Sequence, residues 1–163
     1  MLIFLNIIGY ISSAITLVML LTSVVAYVLG LFPVLKRFGF NRWKMKIAVV
    51  TDDNNLKNTV NTTLTKCKLI RKRNLEHVSN GVLKTTDNYS LVVVCEDMLS
   101  KLDKIVDNLS SKTALIVYAP KVRLNDEQLE YLNRQPVSAL VNFKGRLIGD
   151  VINMLVSTEY VEK

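Results

Sequence analysis

Two cysteines and one histidine are spread over 163 residues. Two cysteines cannot frame a disulfide scaffold. A single histidine with two distant cysteines cannot make a common zinc site. Charge is missing from one whole region: residues 1–35 contain no Asp, Glu, Lys or Arg. The usual signatures of phosphate binding and acyl transfer are missing as well. No Gly-x-Gly-x-x-Gly follows a strand-like run, and neither Gly-x4-Gly-Lys-Ser/Thr nor Gly-x-Ser-x-Gly occurs. With no cofactor signature and no recognisable catalytic set, the chain reads as non-enzymatic. What is present suits a folded protein rather than a disordered one, since half the residues are apolar and 21% are charged.

The uncharged run is longer than the roughly 20 apolar residues needed to cross a bilayer, and too short for two full spans. It predicts one transmembrane helix over about residues 10 to 31 within a segment 1–35. A secretory signal peptide fits less well, because no basic residue precedes the run and the run exceeds the usual apolar core. Lys36, Arg37, Arg42, Lys44 and Lys46 follow it with no acid among them, defining a basic juxtamembrane linker, 36–46. From Ile47 onward 16 basic and 14 acidic residues leave only +2 of the total +7. A surplus beside an apolar run marks a juxtamembrane anchor, whereas a DNA-binding protein spreads basic residues over its folded part. The positive-inside rule then places residues 47–163 in the cytoplasm and the helix in the inner (plasma) membrane. Tyr27, Phe32, Phe38, Phe40 and Trp43 suit an interfacial belt, and Pro33 and Gly39 suit a helix break. The pairs Gly9/Ser13, Ser12/Thr16 and Ala26/Gly30 have small-xxx-small spacing, so Ser12, Ser13, Thr16 and Ser23 are candidate helix-packing residues in a homo-oligomer, dimer or tetramer. The competing reading is that these hydroxyls bond their own backbone.

Beyond the linker, apolar runs at 47–50, 89–94, 114–118 and 139–143 read as buried strands, with a weaker edge strand at 67–71. Helices fall between them. Leu56, Val60 and Leu64 share a face after Asn54 or Asn55 as cap. Ser100 to Asp103 resembles a capping box ahead of Leu102, Ile105, Val106 and Leu109. Asn125 to Gln128 is a second box. Leu147, Ile148, Val151 and Leu155 line the last helix, and Leu75, Val78 and Val82 hint at another. The alternation predicts an α/β fold: a doubly wound parallel sheet of flavodoxin-like or small Rossmann-like kind.

Such sheets bind ligands beyond the carboxyl ends of their strands. Those ends carry Thr51-Asp52-Asp53-Asn54-Asn55, Cys95-Glu96-Asp97, Ala119-Pro120-Lys121 and Asn142-Phe143-Lys144-Gly145. The run from Lys46 to Asn54, with an acidic pair after the first strand, resembles the opening of response-regulator receiver domains. Residues 89–94 are similar to the third strand of that family. The resemblance puts Cys95 at the phosphoacceptor position, Tyr118 near the switch hydroxyl and Lys144 at the lysine after the fifth strand, with Gly145 where the family has Pro. It implies a receiver that does not take a phosphoryl group.

The layout of one membrane helix joined to a small α/β domain also resembles the CRISPR-associated CARF membrane effectors of antiviral defence. That likeness implies a cyclic oligoadenylate or similar cyclic nucleotide ligand. Its contacts would be Thr51, Asn54, Asn55, Pro120, Lys121 and Lys144, with Arg123 nearby; Asp52 and Asp53 would repel phosphates unless turned away or paired with Lys144. His77 reads as a partly buried or surface side chain, and Cys95 as the thiol worth a reactivity test. The leading expectation is a nucleotide-sensing membrane effector whose associated helices perturb the bilayer. The alternative is a membrane-tethered pseudo-receiver scaffold that recruits a protein partner.

Overall fold

A computed structural model of the chain describes residues 2–30, 45–68, 70–83 and 89–158. Contacts divide the chain into two units, Met1–Asn41 and Arg42–Lys163. In the first, helix α1 runs from Leu2 to Val28. Its 27 residues reach about 40 Å at 1.5 Å per residue, more than a hydrocarbon core of about 30 Å. The segment Ile7–Tyr27 has a mean hydropathy of 2.0 and is long and apolar enough to cross a membrane. The helix ends earlier than Pro33 because Leu29 and Gly30 form a turn, with Gly30 at φ +67° donating its N–H to the Tyr27 carbonyl. A left-handed residue just past a helix is the position glycine fills best. Gly30 therefore lies outside α1, and Ala26/Gly30 is not a helical pair. Pro33, Gly39 and the aromatic residues 32, 38, 40 and 43 lie outside the described residues, as do Lys36, Arg37, Arg42 and Lys44.

The second unit is built on five parallel strands: β1 Ile47–Val50, β2 Leu75–Val78, β3 Leu91–Cys95, β4 Ala114–Tyr118 and β5 Ser138–Val141. They lie in the order β2-β1-β3-β4-β5. Helices α2 Asn54–Lys66, α3 Leu102–Asp107, α4 Asp126–Arg134 and α5 Lys144–Ser157 cover the sheet, with short 3-10 turns at Lys72–Asn74 and Glu96–Lys101. Side chains alternate across a strand, so Ile47 and Val49 join the core under α2 and α5 with Leu64, Leu147 and Val151. Ala48 and Val50 join the core under α3 and α4 with Leu102, Ile105 and Leu132. Covering both faces explains why the central strands read as unbroken apolar runs rather than as alternation.

Three expectations about local structure are corrected. No strand forms among the described residues of 67–71: Cys67 caps α2 and Lys68 has a positive φ of 55°. The second strand is Leu75–Val78, where a helix had been expected. Its two central residues, Glu76 and His77, are exposed, and only Leu75 and Val78 are partly covered. That three-residue spacing mimics a helical face, and an edge strand lacks the apolar run that identifies an inner one. Asn80 at φ 62° and Gly81 at φ 69° then turn the chain out of it. At Ser100–Asp103 there is no capping box, because Glu96–Lys101 is already coiled as a 3-10 turn and α3 starts at Leu102 with no side-chain cap. The box at Asn125 is present with both reciprocal bonds.

Candidate functional site

The chain runs outward from β1 to β2, then returns past β1 and continues through β3, β4 and β5. The loops after β1 and β3 therefore part in opposite directions, and the crevice between them is where this architecture places ligands. Here it is filled by the chain itself. Asp97, on the turn after β3, lays its carboxylate against the loop after β1. Thr51 Oγ1 donates to its two oxygens at 2.9 and 3.0 Å. The N–H groups of Asp52 and Asp53 donate to Oδ2 at 2.6 and 3.1 Å. Successive N–H groups beside a helix start form a cradle suited to an anion, and Asp97 is that anion.

Three more acids of these loops also accept from backbone amides. Asp53 is the N-cap of α2, its Oδ1 accepting the Asn55 N–H at 2.7 Å. Asp52 Oδ1 accepts the Asn80 N–H at 2.8 Å, and the Asn80 carbonyl accepts from Lys101 Nζ at 3.3 Å. Glu96 Oε2 accepts the Lys121 N–H at 2.9 Å. Carboxylates thus join the loops after β1, β2, β3 and β4 by bonding backbone donors of neighbouring loops.

Each expected contact residue can now be placed. Thr51 is fully buried and committed to Asp97. Asn54 and Asn55 are exposed in the first turn of α2, with Asp53 rather than either asparagine as the cap. Pro120 is half-buried, while Lys121, Arg123 and Lys144 are exposed. Among the described residues no ion pair joins Lys144 to Asp52 or Asp53; both acids turn to backbone amides instead. Asp97 and Asn80 were not singled out as contact residues. The visible signal was an acidic pair two residues past a buried strand, but nothing in the sequence says which distant amides it meets.

Cys95 ends β3 and is fully buried. Burial, reinforced by the nearby Asp97 carboxylate, pushes its thiol up to about 12. It is a neutral thiol at physiological pH, without the thiolate that reactivity requires. Tyr118, beside Cys95 in the sheet register, is also raised, by burial first and then by the charge of its neighbours. His77 is exposed on β2. No cluster of His, Cys, Asp and Glu able to hold a metal ion occurs among the described residues.

In α1, Ser12, Ser13, Thr16 and Ser23 are exposed. Thr16 Oγ1 donates to the Ser12 carbonyl at 2.9 Å and Ser23 Oγ to the Met19 carbonyl at 2.8 Å. Those two hydroxyls satisfy themselves on their own helix. No protein-family model and no curated protein matches the chain.

Proposed function

We propose that the chain is a single-pass membrane protein whose α/β domain is a non-catalytic, receiver-like module that recruits a protein partner. One observation carries this reading: the anion cradle at the switch point is occupied by Asp97, while the position of a receiver's acceptor is a buried, neutral Cys95. A phosphoryl group has no carboxylate to join there, and an incoming phosphate must first displace an intramolecular carboxylate. The direction of the charges around α1 supports a cytoplasmic domain at the inner membrane.

A second reading, the nucleotide-sensing effector of antiviral defence with an oligomeric helix bundle, has its own support. Lys121, Arg123 and Lys144 are exposed on the end that holds the cradle. In that reading Asp97 leaves Thr51 when the ligand arrives, and the ligand acts by favouring the displaced arrangement.

Calorimetry of the full chain in detergent with a panel of cyclic oligonucleotides separates the two. The scaffold reading expects no heat of binding. It also expects a discrete protein adduct in cells when a photo-crosslinker replaces Phe143, which is 59% exposed just after β5. Saturable nucleotide binding that Lys121→Ala weakens about tenfold, as loss of a charge-assisted bond would, would establish the sensor instead.

A further inference from the structure

In a parallel sheet every strand starts at the same end. Segments that precede strands therefore gather at one end of the domain, and segments that follow them at the other. The two ends differ in charge pattern. The end that follows the strands carries both signs, with Asp52, Asp53, Glu96 and Asp97 beside Lys121, Arg123 and Lys144, whereas the loop 66–73 ahead of β2 holds Lys66, Lys68, Arg71, Lys72 and Arg73 with no acid. All but Arg71 are exposed. The loop is held in place by buried Asn74, whose Nδ2 donates to the Met45 carbonyl at 2.6 Å. Met45 and exposed Lys46 lead directly into β1, so the basic loop is fixed beside the segment through which the chain arrives from its apolar helix. Next to it, between α2 and β2, lies a polar groove of about 430 Å³ to which Asn58, Thr62 and Lys72 contribute.

We propose that this basic amino end of the domain docks on anionic phospholipid headgroups. The inference rests on the reading of α1 as a membrane anchor, and it adds a second, electrostatic contact to that anchor. A tether at this end keeps the basic loop at high local concentration near the bilayer, so weak attraction suffices. Each Lys or Arg near an anionic surface strengthens binding about fivefold. Amide and hydroxyl side chains beside Lys72 suit a phosphate headgroup. Nucleic acid is the poorer fit, since the loop contains no aromatic residue on which a base could stack.

Lysine acylation footprinting tests the proposal on the full chain, mixed with vesicles of phosphatidylcholine alone or with about a third phosphatidylglycerol. Flotation is measured first. Flotation with both vesicle types supports the anchor, and flotation with neither or only with anionic vesicles removes it. The docking surface is read separately. Lys66, Lys68 and Lys72 should be labelled several-fold more slowly with anionic vesicles than with neutral ones, while Lys121 and Lys144 at the opposite end change little. Molar salt, which cuts the screening length to about 3 Å, should abolish the difference. Lys66→Gln with Lys72→Gln should reduce protection of Lys68. Equal labelling in both vesicles, or protection by an oligonucleotide but not by anionic lipid, overturns the proposal whether or not the anchor stands.

Discussion

Thr51 and Asp97 lie 46 positions apart and are joined side chain to side chain at 2.9 Å across the carboxyl end of the sheet. The contact closes the crevice between the loops after β1 and β3, and with the Asp52 and Asp53 amides it gives Asp97 three donors.

Asp97→Ala leaves those donors to water or to nothing. Because Asp97 is exposed and water can replace part of what is lost, the cost should be near the lower end of the roughly 1–3 kcal/mol for a lost charged partner. A urea titration of the full chain in detergent, followed by the signal of the α/β domain, checks it. An unchanged midpoint would mean that the carboxylate does not hold the two loops together.

Cys95 should resist alkylation in the folded protein. With its thiol pushed up to about 12, about one molecule in ten thousand is a thiolate at pH 8. Half-buried Cys67 should label first. Mass spectrometry of iodoacetamide-treated protein, native and in urea, distinguishes the two sites. Prompt native labelling of Cys95 would contradict its burial.

The same thiol predicts a pH dependence. Its folded value lies above the ordinary 9.0, so between about pH 9 and 12 the native state holds a proton that the unfolded state has lost. Stability therefore falls as pH rises through that window, and Tyr118, raised in the same direction, adds to the fall. Cys95→Ala should flatten the alkaline slope of a melting-temperature profile. An unaltered slope would assign the loss to other groups.

Gly81 has φ +69°, and a Cβ there would sit 3.4 Å from Lys101 Cδ and 3.5 Å from Ile105 Cδ1. Gly81→Ala should cost about 1–2 kcal/mol from the left-handed backbone alone. Leu64→Ala, in the core under α2, should cost about 2–5 kcal/mol, since Leu64 is fully buried. Thermal melts of both variants provide the comparison, and a neutral Gly81→Ala would mean that the turn relaxes.

Topology is open to a direct test. Protease added outside intact cells or spheroplasts should leave residues 47–163 uncut. Digestion there would reverse the cytoplasmic assignment and with it the partner class.

Local pattern alone was enough for much of the molecule. The uncharged run predicted α1, and residues 47–50 and 114–118 were bounded as strands just as they fold, because both faces of an inner strand are apolar and that signal is contiguous in sequence. The box at Asn125 was legible for the same reason, its partners being three residues apart. Tertiary structure decided what depends on distant segments meeting. The edge strand Leu75–Val78 exists through its pairing with β1, not through its own composition. Asp97 fills the crevice because the sheet order brings the turn after β3 beside Thr51. The basic loop 66–73 lies by the segment ahead of β1 because β2 pairs with β1 and Asn74 Nδ2 bonds the Met45 carbonyl. A carboxylate or an amide does not encode its partner in its neighbours; the fold chooses it, by satisfying groups that burial would otherwise leave unpaired.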